Sequence, residues 1–148
     1  MSNRSAFLDA IAWAEGTPRF GDENGYNVIV GGSLFQDYAD HPRQSVWLPK
    51  LQIYSTAAGR YQLLARYFDA YRVLLNLPDF SPNSQDAIAL QQIKECRALP
   101  LVDAGDFDAA INRVGNIWAS LPHNSYGQHQ QTLDNLRAAY VKAGGVLA

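Results

Sequence analysis

The sequence has a single cysteine, no long hydrophobic run and no excess of basic charge. Cys96 cannot form a disulfide within the chain, so no such bridge stabilises the fold, and zinc sites built from several cysteines are excluded. A membrane helix needs about 18 consecutive apolar residues, and we therefore expect no stable membrane insertion. Twelve Lys and Arg against fourteen Asp and Glu give a net charge of -2, which argues against a nucleic-acid partner.

The N-terminal segment does not have the pattern of a signal peptide. Only Arg4 precedes Asp9 and Glu15, and these two acidic residues interrupt the apolar stretch. We therefore expect a protein that folds in the cytoplasm. A length of 148 residues and a hydrophobic content of 47% predict one domain with its own core.

Apolar residues recur at helical spacing in five segments. They predict helices over residues 3–15 with Ser2 or Asn3 as the cap, from about 56–59 to 75, over 81–97, over 106–122, and around 133–140. Between the first two helices, the Gly31-Gly32 pair predicts a hairpin of residues 26–35, and residues 51–54 predict another short strand. Residues 37–49 are expected to be irregular. The predicted fold is therefore α+β, mostly helical with a small antiparallel sheet, and we expect Trp13 and Trp118 in its core.

Glu15 is the most informative residue of the sequence. It follows Phe7 and Ile11 on the apolar face of the first helix, in the last turn, where the helix dipole is negative. Burial and the dipole both disfavour the carboxylate, so both should raise its pKa, as a general acid requires. The non-catalytic alternatives are that the Glu15 carboxylate faces solvent or forms an ion pair with Arg19, Arg60 or Arg66.

Two polar segments are suited to bind hydroxyl and amide groups. Residues 55–62 combine small side chains, which let a ligand approach the backbone, with the amide of Gln62. Residues 119–128 combine the ring of Tyr126 with the polar groups of Ser120, Asn124 and Gln128. The alternatives are helix capping and tight packing for the first segment, and a ring that covers the core for the second.

Other kinds of site find little support. The three histidines lack the spacing of metal ligands, and Cys96 lies on an apolar helical stripe that is typical of a core residue. No phosphate-binding loop, dinucleotide motif or nucleophile elbow is present. We expect neither a metal nor a cofactor. A second carboxylate, if one is needed, has to come from the loops, where the candidates are Asp22, Glu23, Asp37 and Asp40.

Seven segments, taken in order, resemble the lambda-phage lysozyme (endolysin) family. Trp13-Ala14-Glu15-Gly16-Thr17 comes first, and the others are residues 25–32, 34–43, 55–62, 79–86, 116–122 and 126–128. The similarity runs from about residue 6 to residue 145. No single motif decides the matter, but the ordered set is specific.

The resemblance implies a lysozyme-like fold and a peptidoglycan lytic transglycosylase, which cuts the β-1,4 bond between N-acetylmuramic acid and N-acetylglucosamine without using water. The family's catalytic glutamate falls on Glu15. One departure is that Asn27 stands where the family has aspartate, which weakens any role of this position as a second carboxylate. The positions implied to bind the saccharide are Ser55, Gly59, Tyr61 and Gln62, with Tyr126 and Gly127 in a mobile lip.

In the implied reaction Glu15 protonates the glycosidic oxygen and then takes the proton of the C6 hydroxyl of the muramoyl ring. That hydroxyl attacks its own anomeric carbon, so the product ends in 1,6-anhydromuramic acid. Because the nucleophile belongs to the substrate, no second carboxylate is needed to position water. The resemblance further implies a monomer that acts on glycan strands and waits in the host cytoplasm until a holin releases it to the periplasm.

Two other functions remain open at this stage. A hydrolytic muramidase would use Glu15 as the acid and a loop aspartate, Asp22 or Asp37, to support water or an oxocarbenium ion. A module of the same fold could instead bind saccharide, or act as a structural part of a lysis system, without cleaving anything. An amidase or peptidase is disfavoured, because metal ligands and a convincing nucleophile are missing.

Overall fold

The structure, a computed structural model, describes residues 2–122 and 130–148. Within these residues the chain is α+β, as predicted, with six α-helices, one 3-10 helix and a two-stranded antiparallel sheet. The chain divides into two compact units, one formed by the described residues up to Glu15 and from Ala89 onward, the other by Gly16–Ile88. The elements are α1 (Asn3–Glu15), the 3-10 helix (Thr17–Arg19), β1 (Val46–Leu48), β2 (Ile53–Ser55), α2 (Ala65–Leu74), α3 (Pro82–Glu95), α4 (Leu99–Ala104), α5 (Phe107–Val114) and α6 (Leu133–Lys142).

The first unit is built around α1, which packs against α4 and α6. The ring of Phe7 meets Phe107 of α5 edge-on at 5.7 Å, and Phe107 lies 4.7 Å from Tyr140 of α6. Ser2 caps α1 as predicted, because its Oγ accepts a hydrogen bond of 3.1 Å from the Ser5 N–H. The apolar face of α1 is buried along its length, and this burial places Glu15 at the end of a well-anchored helix.

The second unit has its own hydrophobic core, which lies between α2, the N-terminal part of α3 and the loops that precede them. Val46 of β1 packs against this core and thereby attaches the β1–β2 hairpin. The side chains that make up the core are Ile29, Phe35, Ala58, Leu63, Phe68, Phe80 and Ile88.

The hairpin predicted for residues 26–35 forms only in part. The reversal at Gly31-Gly32 is present, with a hydrogen bond of 2.7 Å from Ile29 N to Ser33 O. Its flanks form only a single bridge, because the backbone of Ile29 also pairs with Ala58 and no continuous ladder develops. The observed sheet is instead β1–β2, which confirms a strand near residues 51–54 but contradicts the irregular structure predicted for residues 37–49.

The second predicted helix begins later than expected. Gly59 and Gln62 have φ angles of 85° and 54°, and residues with left-handed backbone cannot belong to an α-helix. A bridge between Ala58 and Leu63 closes this tight turn, and α2 starts only at Ala65. Residues 56–62 therefore form a compact loop and not the first turns of a helix.

Two further helix boundaries differ from the predictions. The helix predicted over 81–97 ends at Glu95, and Pro100 lies in the first turn of the separate helix α4, where its missing N–H is not needed. The helix predicted over 106–122 ends at Val114, and the chain then returns so closely that a Cβ on Gly115 would lie 3.3 Å from the Pro122 carbonyl oxygen. Asp106 takes the N-cap position of α5 but makes no capping bond with its side chain.

One of the two tryptophans expected in the core is not there. Trp118 is buried, as predicted, whereas Trp13 is 41% exposed. Trp13 follows the buried Ile11 by two positions, roughly 200° around the helix, so it faces away from the core. None of the helices in the described ranges is long and apolar enough to cross a membrane.

Candidate active site

Glu15 is the last residue of α1, and its carboxyl group is partly buried. The helix ends there because Gly16 adopts a left-handed conformation, with φ 79°. Burial raises the pKa of this carboxyl to about 7. The sequence prediction of a raised pKa is therefore confirmed, and burial is its cause in the structure.

Among the residues that the structure describes, one polar neighbour opposes this effect. The hydroxyl of Ser120 stabilises the carboxylate and so lowers the pKa of Glu15, but less than burial raises it. Its Oγ is buried and makes no well-formed hydrogen bond within the described residues. No ion pair involves Glu15 in the same residues, so the alternative of pairing with an arginine finds no support. A carboxyl with a pKa near 7 is half protonated at neutral pH and can both donate and accept a proton.

Residues 55–62 form the second candidate element, in the second unit. Ser55 ends β2, and its Oγ accepts a hydrogen bond of 3.1 Å from the Ala57 N–H. Gln62 is partly buried, and its Nε2 donates to the carbonyl oxygens of Val28 at 3.2 Å and Gly59 at 2.9 Å. These bonds do not use the amide oxygen of Gln62, which is the group of this side chain that can accept from a ligand.

Gly59 is required by the packing of the protein itself. Its φ of 85° is strained for any other residue, and a Cβ would lie 2.8 Å from the Phe80 ring and closer still to the Gln85 side chain. Tight packing, the alternative that the sequence left open for residues 55–62, therefore accounts for this glycine. It allows the loop to lie against α3.

Tyr61 is buried, with 5% of its surface exposed. Its hydroxyl donates to Asp86 Oδ1 at 2.6 Å and accepts from Arg60 Nη1 at 3.0 Å. Burial is the main reason that the pKa of Tyr61 is raised far above its usual value. Little of the ring is left to stack on a sugar, and the contacts of Tyr61 are those of a residue that holds the loop in place.

Two residues of α3, Gln85 and Asp86, also hold this loop in place, and no role was predicted for them from the sequence. Gln85 is buried, and its Oε1 accepts from the Arg60 N–H at 2.8 Å while its Nε2 donates to Tyr26 O and Phe80 O. Asp86 accepts from the hydroxyls of both Tyr26 and Tyr61. A buried amide and a carboxylate, one helix position apart, thus set the conformation of the loop that carries Gln62.

Asn27 is buried beside a carboxylate. Its Nδ2 donates to Glu23 Oε2 at 2.7 Å, and the other oxygen of Glu23 accepts from the Tyr38 hydroxyl at 3.1 Å. Its Oδ1 is buried and has no hydrogen-bond partner within the described residues. An aspartate here would bring a second carboxylate next to Glu23, so asparagine fits this neighbourhood.

The loop aspartates that a hydrolase would need are exposed. Asp22 lies in the polar loop after the 3-10 helix, and Asp37 accepts a hydrogen bond of 2.8 Å from the Ala39 N–H, which stabilises a local turn. Tyr126 and Gly127, the two predicted lip residues, lie outside the described residues. No group of three or more His, Cys, Asp or Glu in residues 2–122 and 130–148 is arranged to hold a metal ion.

The chain belongs to the endolysin family, whose family model matches residues 5–147. It is 57% identical to the endolysin of Escherichia phage lambda, over 99% of this chain and 94% of that protein. The endolysin of Escherichia phage P2 is 45% identical, over 99% of this chain and 95% of its own length.

Solved structures confirm the lysozyme-like fold. Lysozyme from bacteriophage lambda in complex with a chitohexasaccharide superposes with a TM-score of 0.95 at 55% identity, covering 100% of this chain and 98% of that one. A second structure of lysozyme from bacteriophage lambda gives a TM-score of 0.91. The family resemblance read from the seven segments is therefore confirmed.

Proposed function

We propose that this endolysin is a peptidoglycan lytic transglycosylase, which cleaves the β-1,4 bond between N-acetylmuramic acid and N-acetylglucosamine. The observation that carries the proposal is the Glu15 carboxyl, whose pKa is raised to about 7 by burial. A substrate of this class is supported by the lambda lysozyme, which was solved with a chitohexasaccharide, a β-1,4-linked polymer of N-acetylglucosamine.

The reaction uses one residue twice. In its neutral form Glu15 donates its proton to the glycosidic oxygen, the bond to the anomeric carbon breaks, and the N-acetylglucosamine side leaves as an alcohol. The resulting carboxylate then removes the proton of the C6 hydroxyl of the muramoyl ring, and the C6 oxygen bonds to the anomeric carbon. Glu15 is protonated again at the end, and no water is consumed.

A pKa near 7 suits both half-reactions. A group that must give and then take a proton works best when its pKa is close to the pH of the medium. Attack by a hydroxyl of the same substrate also gains a large effective concentration, so no further carboxylate is needed to activate water. The exposed positions of Asp22 and Asp37 and the amide at Asn27 support this single-carboxyl chemistry over the hydrolytic alternative.

The saccharide contacts form a second part of the proposal. We assign Ser55, Gly59 and Gln62 to the glycan-binding segment, with the Gln62 amide oxygen as an acceptor for a hydroxyl or acetamido N–H. Tyr61 belongs to the same segment but contributes by holding its conformation. Tyr126 and Gly127 are proposed to contact the glycan as well, on the basis of the family resemblance alone.

The biological setting is also a proposal. We infer that the protein acts as a monomeric single domain, accumulates in the host cytoplasm and reaches the periplasm when a holin opens the inner membrane. Expression of the chain in a bacterium with and without a holin tests this. Lysis is expected only when both are present, and lysis by the chain alone would contradict the inference.

Mass spectrometry of the products tests the chemistry. Purified peptidoglycan digested by a lytic transglycosylase gives fragments that end in 1,6-anhydromuramic acid, each lighter by one water than the fragments with reducing ends that a hydrolase releases. The Glu15→Gln variant is expected to bind the glycan without releasing fragments. Reducing ends from the wild type would establish the hydrolase, and binding without any cleavage by the wild type would establish a saccharide-binding module.

A further inference from the structure

The β1–β2 hairpin carries two aromatic rings that the proposed reaction does not use. Trp47 and Tyr54 are directly opposite each other in the strand register, and their ring centroids are 4.9 Å apart. Side chains opposite each other in an antiparallel pair point to the same face. The two residues remain 43% and 69% exposed, and their adjacent rings form one apolar surface, here called the Trp47–Tyr54 surface.

This surface is held in a fixed position by the rest of its unit. Val46, next to Trp47 on β1, points to the other face and packs against the core of the second unit. Tyr54 immediately precedes Ser55, with which the proposed glycan-binding segment begins. The Trp47–Tyr54 surface is therefore continuous along the chain with that segment, and its strand pairing limits how far the rings can move apart.

The chemistry around the rings favours a neutral polar ligand. Residues 44–56 contain a single charged side chain, Lys50, and otherwise offer amides and hydroxyls such as those of Gln44 and Ser45, both exposed. The flat C–H faces of a pyranose pack on aromatic rings, while its hydroxyls need donors and acceptors at the rim. Tyr and Trp bind such ligands at low entropic cost because they have few rotatable bonds.

Two other occupants fit less well. Attachment to an anionic membrane usually needs a cluster of basic residues, and this hairpin has only Lys50. A stable contact with a second copy of the chain needs about 800 Å² on each side, which is several times the area that two half-exposed rings offer.

We propose that the Trp47–Tyr54 surface is an additional saccharide-binding site, which stacks a sugar ring of the glycan strand next to the segment that starts at Ser55. This inference rests on the proposed function, because it assigns the surface to the same glycan. The rings contribute affinity for the strand and take no part in proton transfer.

The test measures the affinity for chitohexasaccharide by isothermal titration calorimetry, in a Glu15→Gln background that prevents cleavage. Trp47→Ala and Tyr54→Ala are each expected to weaken binding roughly three- to tenfold, the usual range for an aromatic contact. Tyr54→Phe keeps the ring and is expected to retain the affinity. Tyr67→Ala removes a ring of similar exposure, 46%, from α2 and is the matched control.

Each alternative result has a distinct meaning. Unchanged affinity in Trp47→Ala and Tyr54→Ala, with the parent chain still binding, overturns this inference alone. Two other results would also overturn it, both with the glycan affinity of these variants unchanged. If the variants lose binding to phosphatidylglycerol vesicles, the surface binds a membrane. If the variants dissociate a dimer that the parent forms, the surface binds a second copy of the chain. Failure of the parent to bind chitohexasaccharide together with failure of the wild type to cleave peptidoglycan would overturn the proposed function itself.

Discussion

Replacing Glu15 with glutamine is expected to stabilise the folded protein at alkaline pH. Burial raises the pKa of this carboxyl from 4.5 to about 7, so the folded state favours the protonated form. Ionised Glu15 therefore lowers the free energy of unfolding. The loss is absent below about pH 4.5, grows as the pH rises to about 7 and is constant above it. At about 1.4 kcal/mol per pKa unit, the full loss is about 3 kcal/mol.

Urea unfolding followed by circular dichroism measures this difference. With a denaturant slope of about 2 kcal/mol/M, the midpoint of Glu15→Gln should exceed that of the wild type by about 1.5 M at pH 8. The two midpoints should lie close together at pH 4.5, where glutamine and protonated glutamate are both neutral. Comparing the two proteins at each pH cancels the titration of all other groups.

Glu95→Gln provides the control, because Glu95 is an exposed residue at the end of α3. Its substitution should change the midpoint little at either pH. An equal midpoint for Glu15→Gln and wild type at pH 8, or a gain of the same size at both values of pH, would refute the reasoning. The first result would mean that the folded protein holds the carboxylate at no cost, and the second that the gain has nothing to do with charge.

Three further predictions concern the site and its supports. The rate of glycan cleavage at low substrate concentration, measured by chromatography of released fragments, should be constant below pH 7. Well above pH 7 it should fall about tenfold per pH unit, because Glu15 loses its proton. A rate that rises through this range would contradict the role of Glu15 as an acid. Gly59→Ala should lower the free energy of unfolding, measured in urea titrations, by roughly 3 kcal/mol. The φ of 85° is strained for alanine, and the contact with Phe80 leaves no room for a Cβ. A loss below about 1 kcal/mol would show that the loop adjusts easily. Asn27→Asp should lower the free energy of unfolding more at pH 8 than at pH 4.5, because an ionised carboxyl cannot donate to Glu23 and repels it. Equal losses at the two pH values would contradict the pairing of the Asn27 amide with the Glu23 carboxylate.

The helical frame and the raised pKa of Glu15 could be predicted from the sequence, for a clear physical reason. The first helix has regular apolar spacing, a serine at its start and a glycine at its end, and all of these signals are local. Glu15 lies on the face that this spacing marks as buried. Its raised pKa therefore followed from position alone.

The loop around Gly59 shows where local reasoning fails. A helix was predicted to start between residues 56 and 59, but Gly59 and Gln62 adopt left-handed conformations. The cause is non-local, since Gln85 and Asp86 of α3 bind this loop through side-chain hydrogen bonds. A buried glutamine and a partly buried aspartate at the start of a helix carry no pattern that reveals such a partner in advance.

The strand at Val46–Leu48 was missed for a similar reason. Three residues between two prolines have too little periodicity to distinguish a strand from a loop, and β1 exists because Val46 packs on the core and β2 supplies the backbone partners. Trp13 was placed in the core by prediction, although its helical phase points away from the buried Ile11.

The origin of the oxygen at the cleaved anomeric carbon distinguishes lytic transglycosylation from hydrolysis. Digestion of purified peptidoglycan in oxygen-18 water, followed by mass spectrometry of the fragments, separates the two chemistries in one measurement. Lytic transglycosylation gives 1,6-anhydromuramic acid ends without the heavy isotope, because the C6 hydroxyl of the substrate supplies the oxygen. Reducing ends that carry oxygen-18 from the start of the reaction would contradict it.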